Sequence, residues 1–308
     1  MRDAFIDNLC EAAQKDRNIF FISADFGAAA LDALRSSLPS QFIHAGISEQ
    51  NMVDVGAGLA LSGKKVFLYA MAPFITARCY EQTKAVVASM QLPITFIAVG
   101  VGLGYDHATL THFTPEDMAC MKALNGIEVL TPVDAESAEA FARRSVERPA
   151  FRYIRLDRQQ QPAVYNGKFS SLIDEGLCSL AEGDKVCIVA CGALIHKSLQ
   201  ARALLQAQGI NAGVLDLFRI KPLNGEGLKK ILAKYSAVVT VEEQLLDGGF
   251  GSAVAEVFAD GGIFKPMKRL GLKDGFAVVN GNRDHLHKLY NIDTIDIVHA
   301  VTELIKNV

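Results

Sequence analysis

The sequence predicts an α/β protein of two domains, each with a mostly parallel sheet flanked by helices, on three observations. Short β-branched or aromatic runs, NIFFISAD, VFLYA, ITFIAV, IEVLTP and FRYIRL, alternate with segments of helical period such as AESAEAFARRSVE. A second β-α series, with strands in KVCIVACG, NAGVLDLF and SAVVTVEE, begins beyond the polar stretch DRQQQPAVYNGKFSS. The length, 308 residues, exceeds that of a usual single domain, so two cores are expected. In such sheets ligands collect at loops beyond the carboxyl ends of the strands.

Taken in order, MRDAFIDNLCEAAQKD reads as an amphipathic opening helix, with no apolar core ending in a cleavage site. The five strands of the first series carry the first domain, placed at residues 1–160, and the Pro- and Gly-containing stretch gives a linker at 161–174. The second domain takes 175–308. Its helices are HKSLQARALLQAQG, closed by Gly209, and FGSAVAEVFAD. No internal repeat or low-complexity tract occurs.

Composition narrows the function. Net charge is −3 with signs interspersed, so there is no basic stripe for nucleic acid and no polybasic patch for a membrane. Apolar runs such as PITFIAVGVGLG are too short and glycine-broken to cross a bilayer. Six cysteines (10, 79, 120, 178, 187, 191) lie scattered among apolar neighbours without CxxC spacing, which points to reduced core thiols rather than a metal or redox site. A cytoplasmic protein acting on small molecules is expected.

The stretch HAGISEQNM, residues 44–52, sets one carboxylate, Glu49, behind the N-cap candidate Ser48 and ahead of a helical run. An acidic residue in a first turn is favoured by the helix macrodipole by about 0.3–1 kcal/mol with no chemistry involved. The neighbouring words point further. GISEQNM, PFITARCYEQ from Pro73 and THFTPEDMACMKAL from Thr111 resemble, in that order, three stretches of the thiamine-diphosphate enzymes of the transketolase type. LFRIKPL from Leu217 and VVTVEEQLLDGGFGSAVAEVF from Val238 resemble the C-terminal domain of the same family, so the likeness spans nearly the whole chain. It implies a thiamine-diphosphate-binding fold, in its pyrimidine-binding form, followed by a transketolase C-terminal-like domain.

The resemblance also implies roles. Glu49 is expected to hydrogen-bond a ring nitrogen of the aminopyrimidine, the contact that lets the cofactor act as its own base. Phe74 matches the aromatic on which that ring stacks, and Asp25 matches an aspartate near the cofactor; each reads equally as a core phenylalanine or a helix cap. Arg78, at a helix start beside Phe74, is placed among the cofactor-binding residues, although it and Glu81 read first as structural charges at a helix start and its next turn. His112 matches the histidine facing the reacting oxygens. Arg158 in YIRLDRQ matches the clamp for a sugar phosphate, with a solvated linker charge as the plain alternative.

Two departures put ordinary pentose phosphates in doubt. The family's DGPTH reads ATLTH here, with Ala108 in place of the aspartate, and a phosphate-binding histidine that the family pattern sets about twelve residues upstream of His112 would fall near Gly100. Asp106 and His107 are near enough in sequence to substitute.

The resemblance further implies magnesium, held with the cofactor's diphosphate by a GDG word and a later asparagine. No GDG occurs, and LDGGFGS and VNGNRD do not match a phosphate loop, so no metal ligand is assigned to this chain. The expectation is the C-terminal subunit of a split enzyme, paired with a diphosphate-binding N-terminal subunit as α2β2 and moving a two-carbon ketol unit between sugars; a truncated longer chain is the competing explanation. The rival readings are a deoxyxylulose-phosphate synthase relative, a 2-oxo-acid dehydrogenase beta subunit, and a non-catalytic binding paralogue.

Overall fold

The computed structural model describes residues 1–25, 27–275 and 279–306. Twelve strands lie among them: β1 Ile19–Ser23, β2 Phe42–His44, β3 Lys65–Met71, β4 Ile94–Val99, β5 Glu128–Leu130, β6 Arg152–Leu156, β7 Cys178–Ala181, β8 Val186–Ala190, β9 Gly213–Asp216, β10 Arg219–Lys221, β11 Ala237–Leu245 and β12 Met267–Leu272. They form a seven-stranded sheet, order β10-β5-β6-β4-β3-β1-β2, and a five-stranded sheet, order β12-β11-β8-β9-β7. All pairings are parallel except β10 with β5 and β7 with β9. The expected class, two mostly parallel sheets flanked by helices, is the observed one.

Hydrophobic content dictates strand position. ITFIAV and VCIVA are buried at every residue, as interior strands covered by helices on both faces must be. RYIRL is equally buried despite two arginines, because Arg152 pairs with Glu128 and Arg155 with Asp117. The helix Arg2–Lys15 buries Phe5, Ile6 and Leu9 and packs against Ala135–Glu147, whose start is closed by a capping box of Asp134 and Ser137.

Three strands have no clear signal in the sequence. FIH and CSLA are short and only partly buried, while RIK belongs by sequence to the second half yet adds an antiparallel strand to the first sheet, Arg219 opposite Leu130. The stretch expected as a linker is also held down. Val164 and Tyr165 donate their amides to Asp134, Gly167 and Phe169 donate theirs to Glu136, and the Phe169 ring packs 4.8 Å from that of Phe218.

Candidate active site

The helix Glu49–Leu61 starts just beyond β2, after a turn through Gly46 in the left-handed region, φ 72°. Ser48 occupies the N-cap position, but its hydroxyl donates to Ala45 O at 2.5 Å and leaves the helix amides alone. The expected side-chain cap is absent, and Glu49 is the residue the turn buries. It is 2% exposed, and its Oε2 accepts from Arg78 Nη1 at 2.7 Å.

Arg78 closes the π-helical turn Phe74–Arg78, which follows β3. The same guanidinium lies over the Phe74 ring, 4.2 Å from its centroid, so one side chain ties the carboxylate to the aromatic. His112 meets the Phe74 ring edge-on at 5.5 Å and the Tyr105 ring at 5.6 Å, with Nδ1 2.9 Å from Thr111 Oγ1. Arg158, exposed beyond β6, lies over the other partner of His112: its guanidinium carbon is 5.1 Å from the Tyr105 centroid. Glu49, Arg78, Phe74, His112, Tyr105 and Arg158 thus form one continuous line beyond the carboxyl ends of β2, β3, β4 and β6.

Tyr105 is the residue that family spacing does not assign. Gly100, with φ 76°, lies under it, and a Cβ there would come within 2.0 Å of the Tyr105 ring. A side chain at position 100 and this placement of Tyr105 therefore exclude each other. Burial pushes the Tyr105 hydroxyl up to about 12, with Asp25 adding to the rise while Arg158 and Arg2 oppose it. Asp25 sits close enough to influence that hydroxyl. It does not cap a helix: its Oδ1 accepts from Gly27 N at 3.1 Å, closing a turn after β1. Asp106 likewise turns its carboxylate to the next amide, His107 N, at 2.8 Å, with its own φ at 26°. His107 faces the second domain, Nδ1 lying 3.2 Å from Asn280 Oδ1.

Beneath the line lies a buried network that sequence reasoning missed. Arg155 holds Asp117 bidentately, Nε to Oδ2 at 2.8 Å and Nη2 to Oδ1 at 3.1 Å. Tyr153 donates to the same Oδ2 at 3.0 Å, and its hydroxyl is 2.9 Å from Thr76 Oγ1. Thr76 belongs to PFITAR and Asp117 to THFTPED, so this network locks two of the three words to β6. The signal was available: an acid and an arginine both fully inside a β-α core must find each other.

The glycine-rich stretches prove to be structural. Glu242, on β11, accepts from the amides of Phe250 and Gly251 at 2.7 and 3.0 Å and fills the start of the helix Phe250–Asp260. Desolvation pushes its carboxyl up to about 7, against those two amides. In VNGNRD, Arg283 is buried and donates to both Glu243 and Asp157, joining the two domains. Among the described residues no group of three His, Cys, Asp or Glu side chains is set to ligate a metal.

Two family models match the chain, the transketolase pyrimidine-binding domain over residues 1–163 and the transketolase C-terminal domain over 178–297. The chain belongs to the transketolase family. Its relatives include one of the subunits of the apulose-4-phosphate transketolase of Phocaeicola vulgatus, 32% identical over 99% of this chain and 97% of the relative. They also include a 6-deoxy-6-sulfo-D-fructose transketolase subunit of Clostridium sp., 33% identical over 99% of this chain and 94% of the relative. A split-gene transketolase solved as an inactive β4 tetramer superposes with a TM-score of 0.87 at 31% identity, covering 99% and 97% of the two chains. The family is that of thiamine-diphosphate-dependent transferases, and these three relatives, matched over nearly their whole length, are subunits of split transketolases by their names. No helix among the described residues of this chain is long and apolar enough to cross a membrane.

The residues present fit the aminopyrimidine end of that cofactor. A carboxylate sealed from water, a half-buried phenylalanine ring beside it and a histidine on that ring's edge are the groups such a heterocycle needs.

Proposed function

We propose that this subunit completes an active site shared with a diphosphate-binding subunit and transfers a two-carbon ketol unit between sugars carrying a terminal anionic group. Thiamine diphosphate, when bound, supplies a carbanion centre that accepts and releases the ketol unit. Glu49 holds the proton on the aminopyrimidine nitrogen, with Arg78 fixing the direction of its carboxylate. Phe74 orients the heterocycle by stacking, and Asp25 and Tyr105 line the cofactor side of the mouth. His112, turned by Thr111, donates to the oxygen on which charge develops. Arg158 takes the substrate's anionic group, with Asp106 and His107 at the rim where Ala108 leaves a carboxylate missing.

The observation that carries this reading is the Glu49 carboxylate, buried at a helix start and clamped by the same arginine that covers Phe74. Magnesium and the diphosphate fall to the partner subunit, and we take the assembly as α2β2. Six free thiols, including the deeply buried Cys187 and Cys191, support a reducing, cytoplasmic setting. The relatives' names, with apulose-4-phosphate in one and 6-deoxy-6-sulfo-D-fructose in the other, support a sugar that carries a phosphate or sulfonate group.

The test is reconstitution with the partner, thiamine diphosphate and magnesium. The chain alone should show negligible transfer, and the complex should be active. Glu49→Gln should lower kcat by about 10²–10⁴-fold, the range of a lost general acid–base contact, with an unchanged melting curve. Full activity in that variant sinks the assignment.

A further inference from the structure

Arg158 stands on a turn whose anchor is held from the second domain. Asp157, 3% exposed, directly follows β6 and directly precedes Arg158. Its Oδ1 accepts from Gln159 N at 2.8 Å, so the carboxylate closes a turn with Arg158 at its middle. Its Oδ2 accepts from Arg283 Nη1. An amide N–H and a guanidinium only donate, so both bonds have a fixed direction.

Arg283 is 6% exposed and opens the helix Arg283–Leu289, where Asn282 caps by accepting from His285 N at 2.9 Å. Its Nε and Nη2 donate to Glu243 Oε1 and Oε2, both at 2.6 Å. Glu243 lies against Gly102, where a Cβ would come within 2.7 Å of Oε2, and Gly102 O accepts from Thr114 N at 3.0 Å. The loop closed by that bond carries Tyr105 and His112. Arg158 and the Tyr105 ring it covers thus rest on two carboxylates joined by one buried arginine.

The same guanidinium frees Arg158 for a ligand. The carboxylate next to it in the chain is already engaged at both oxygens, and Arg158 forms no ion pair among the described residues. Its exposed fork keeps its donors for an oxyanion.

Resting on the ketol-transfer reading above, we propose that Arg283 is a positioning residue for Arg158. By holding Asp157 it fixes the Arg158 turn and keeps the adjacent carboxylate occupied, so the second domain sets the affinity for the substrate's anionic group.

Two measurements test it. In the chain alone, hydrogen exchange at the Gln159 amide should be about 10-fold faster in Arg283→Lys, which keeps the charge but cannot span both carboxylates. In the reconstituted complex Arg283→Lys should raise, by about 10-fold, both the KM for an anionic donor and the inhibition constant of inorganic phosphate, the change falling on these constants and not on kcat. It should add nothing in an Arg158→Ala background. Asp157→Ala, which leaves the Arg283–Glu243 pair in place, should match Arg283→Lys in both measurements and decides the matter by itself if that variant does not fold. Asp157→Asn, whose amide oxygen still accepts from Gln159 N, should fall back toward wild type. Unchanged exchange at Gln159, an inhibition constant equal to that of wild type, or a loss of kcat alone overturns the proposal. A wild-type complex without ketol transfer would overturn the parent reading instead, and the exchange measurement would still judge Arg283.

Discussion

At the carboxyl end of the first sheet Glu49 opens a helix; at the carboxyl end of the second, Glu242 lies at the start of another. Glu49 receives one side chain, a partly exposed arginine, and faces a mouth lined by Phe74, His112 and Tyr105. Glu242 receives the two helix amides themselves, with Gly251 so close that a Cβ would come within 2.6 Å of the carboxylate. Its neighbour Glu243 is likewise consumed by Arg283 and His287. Similar β-α architecture therefore yields one crevice and one joint. What separates them is whether the sheet's own side chains already satisfy the polar groups at the strand ends.

The comparison breaks first at the floor of the crevice. Asp117→Ala would leave Arg155 charged and unpaired in the core, and should destabilise the chain by about 3–5 kcal/mol in urea unfolding. A loss within the scatter of surface substitutions would show that the network does not support the site. The next effect tests the joint. The Glu242 carboxyl titrates near 7 in the fold against an ordinary 4.5, so its contribution to stability is fully present below about pH 4.5 and is lost as pH rises through 7. Glu242→Gln removes that loss, and its stability relative to wild type should climb by up to about 3 kcal/mol between pH 4.5 and 8. Parallel stability curves for the two proteins would contradict the assignment.

Smaller effects sharpen the crevice side. Arg158→Ala should raise KM for an anionic sugar by about 10- to 100-fold, the strength of charge-assisted hydrogen bonds, and leave a neutral analogue unaffected. Equal losses for both substrates would make Arg158 a support for Tyr105 only. Phe74→Ala should weaken thiamine-diphosphate binding to the complex by about 2- to 10-fold, readable by calorimetry, since stacking adds orientation more than affinity. An unaltered dissociation constant would move the heterocycle away from that ring.

The buried strands and the long helices were legible because periodicity reports burial, and β4 and β8 are buried throughout. Glu49, Phe74 and His112 were candidates because GISEQNM, PFITARCYEQ and THFTPEDMACMKAL stand in order in the sequence, and the structure links them through Arg78 and the Phe74 ring. Three features were not legible, each for a physical reason. RIK is too short to carry a strand pattern, and nothing local marks it for a sheet 89 residues back in the chain at Leu130. Tyr105 takes the room above Gly100 by a side-chain swing that spacing does not encode. Ser48 has a capping residue's identity, but the carbonyl of Ala45 competes for its hydroxyl, and that contest is settled only by the turn's geometry.

The strand β10 also governs how the molecule holds together. It shields the β5 border of the large sheet, so a protease cut anywhere in 161–174 would nick the chain without releasing two separate bodies. Produced alone, the first half would present a raw hydrogen-bonding border, inviting self-association.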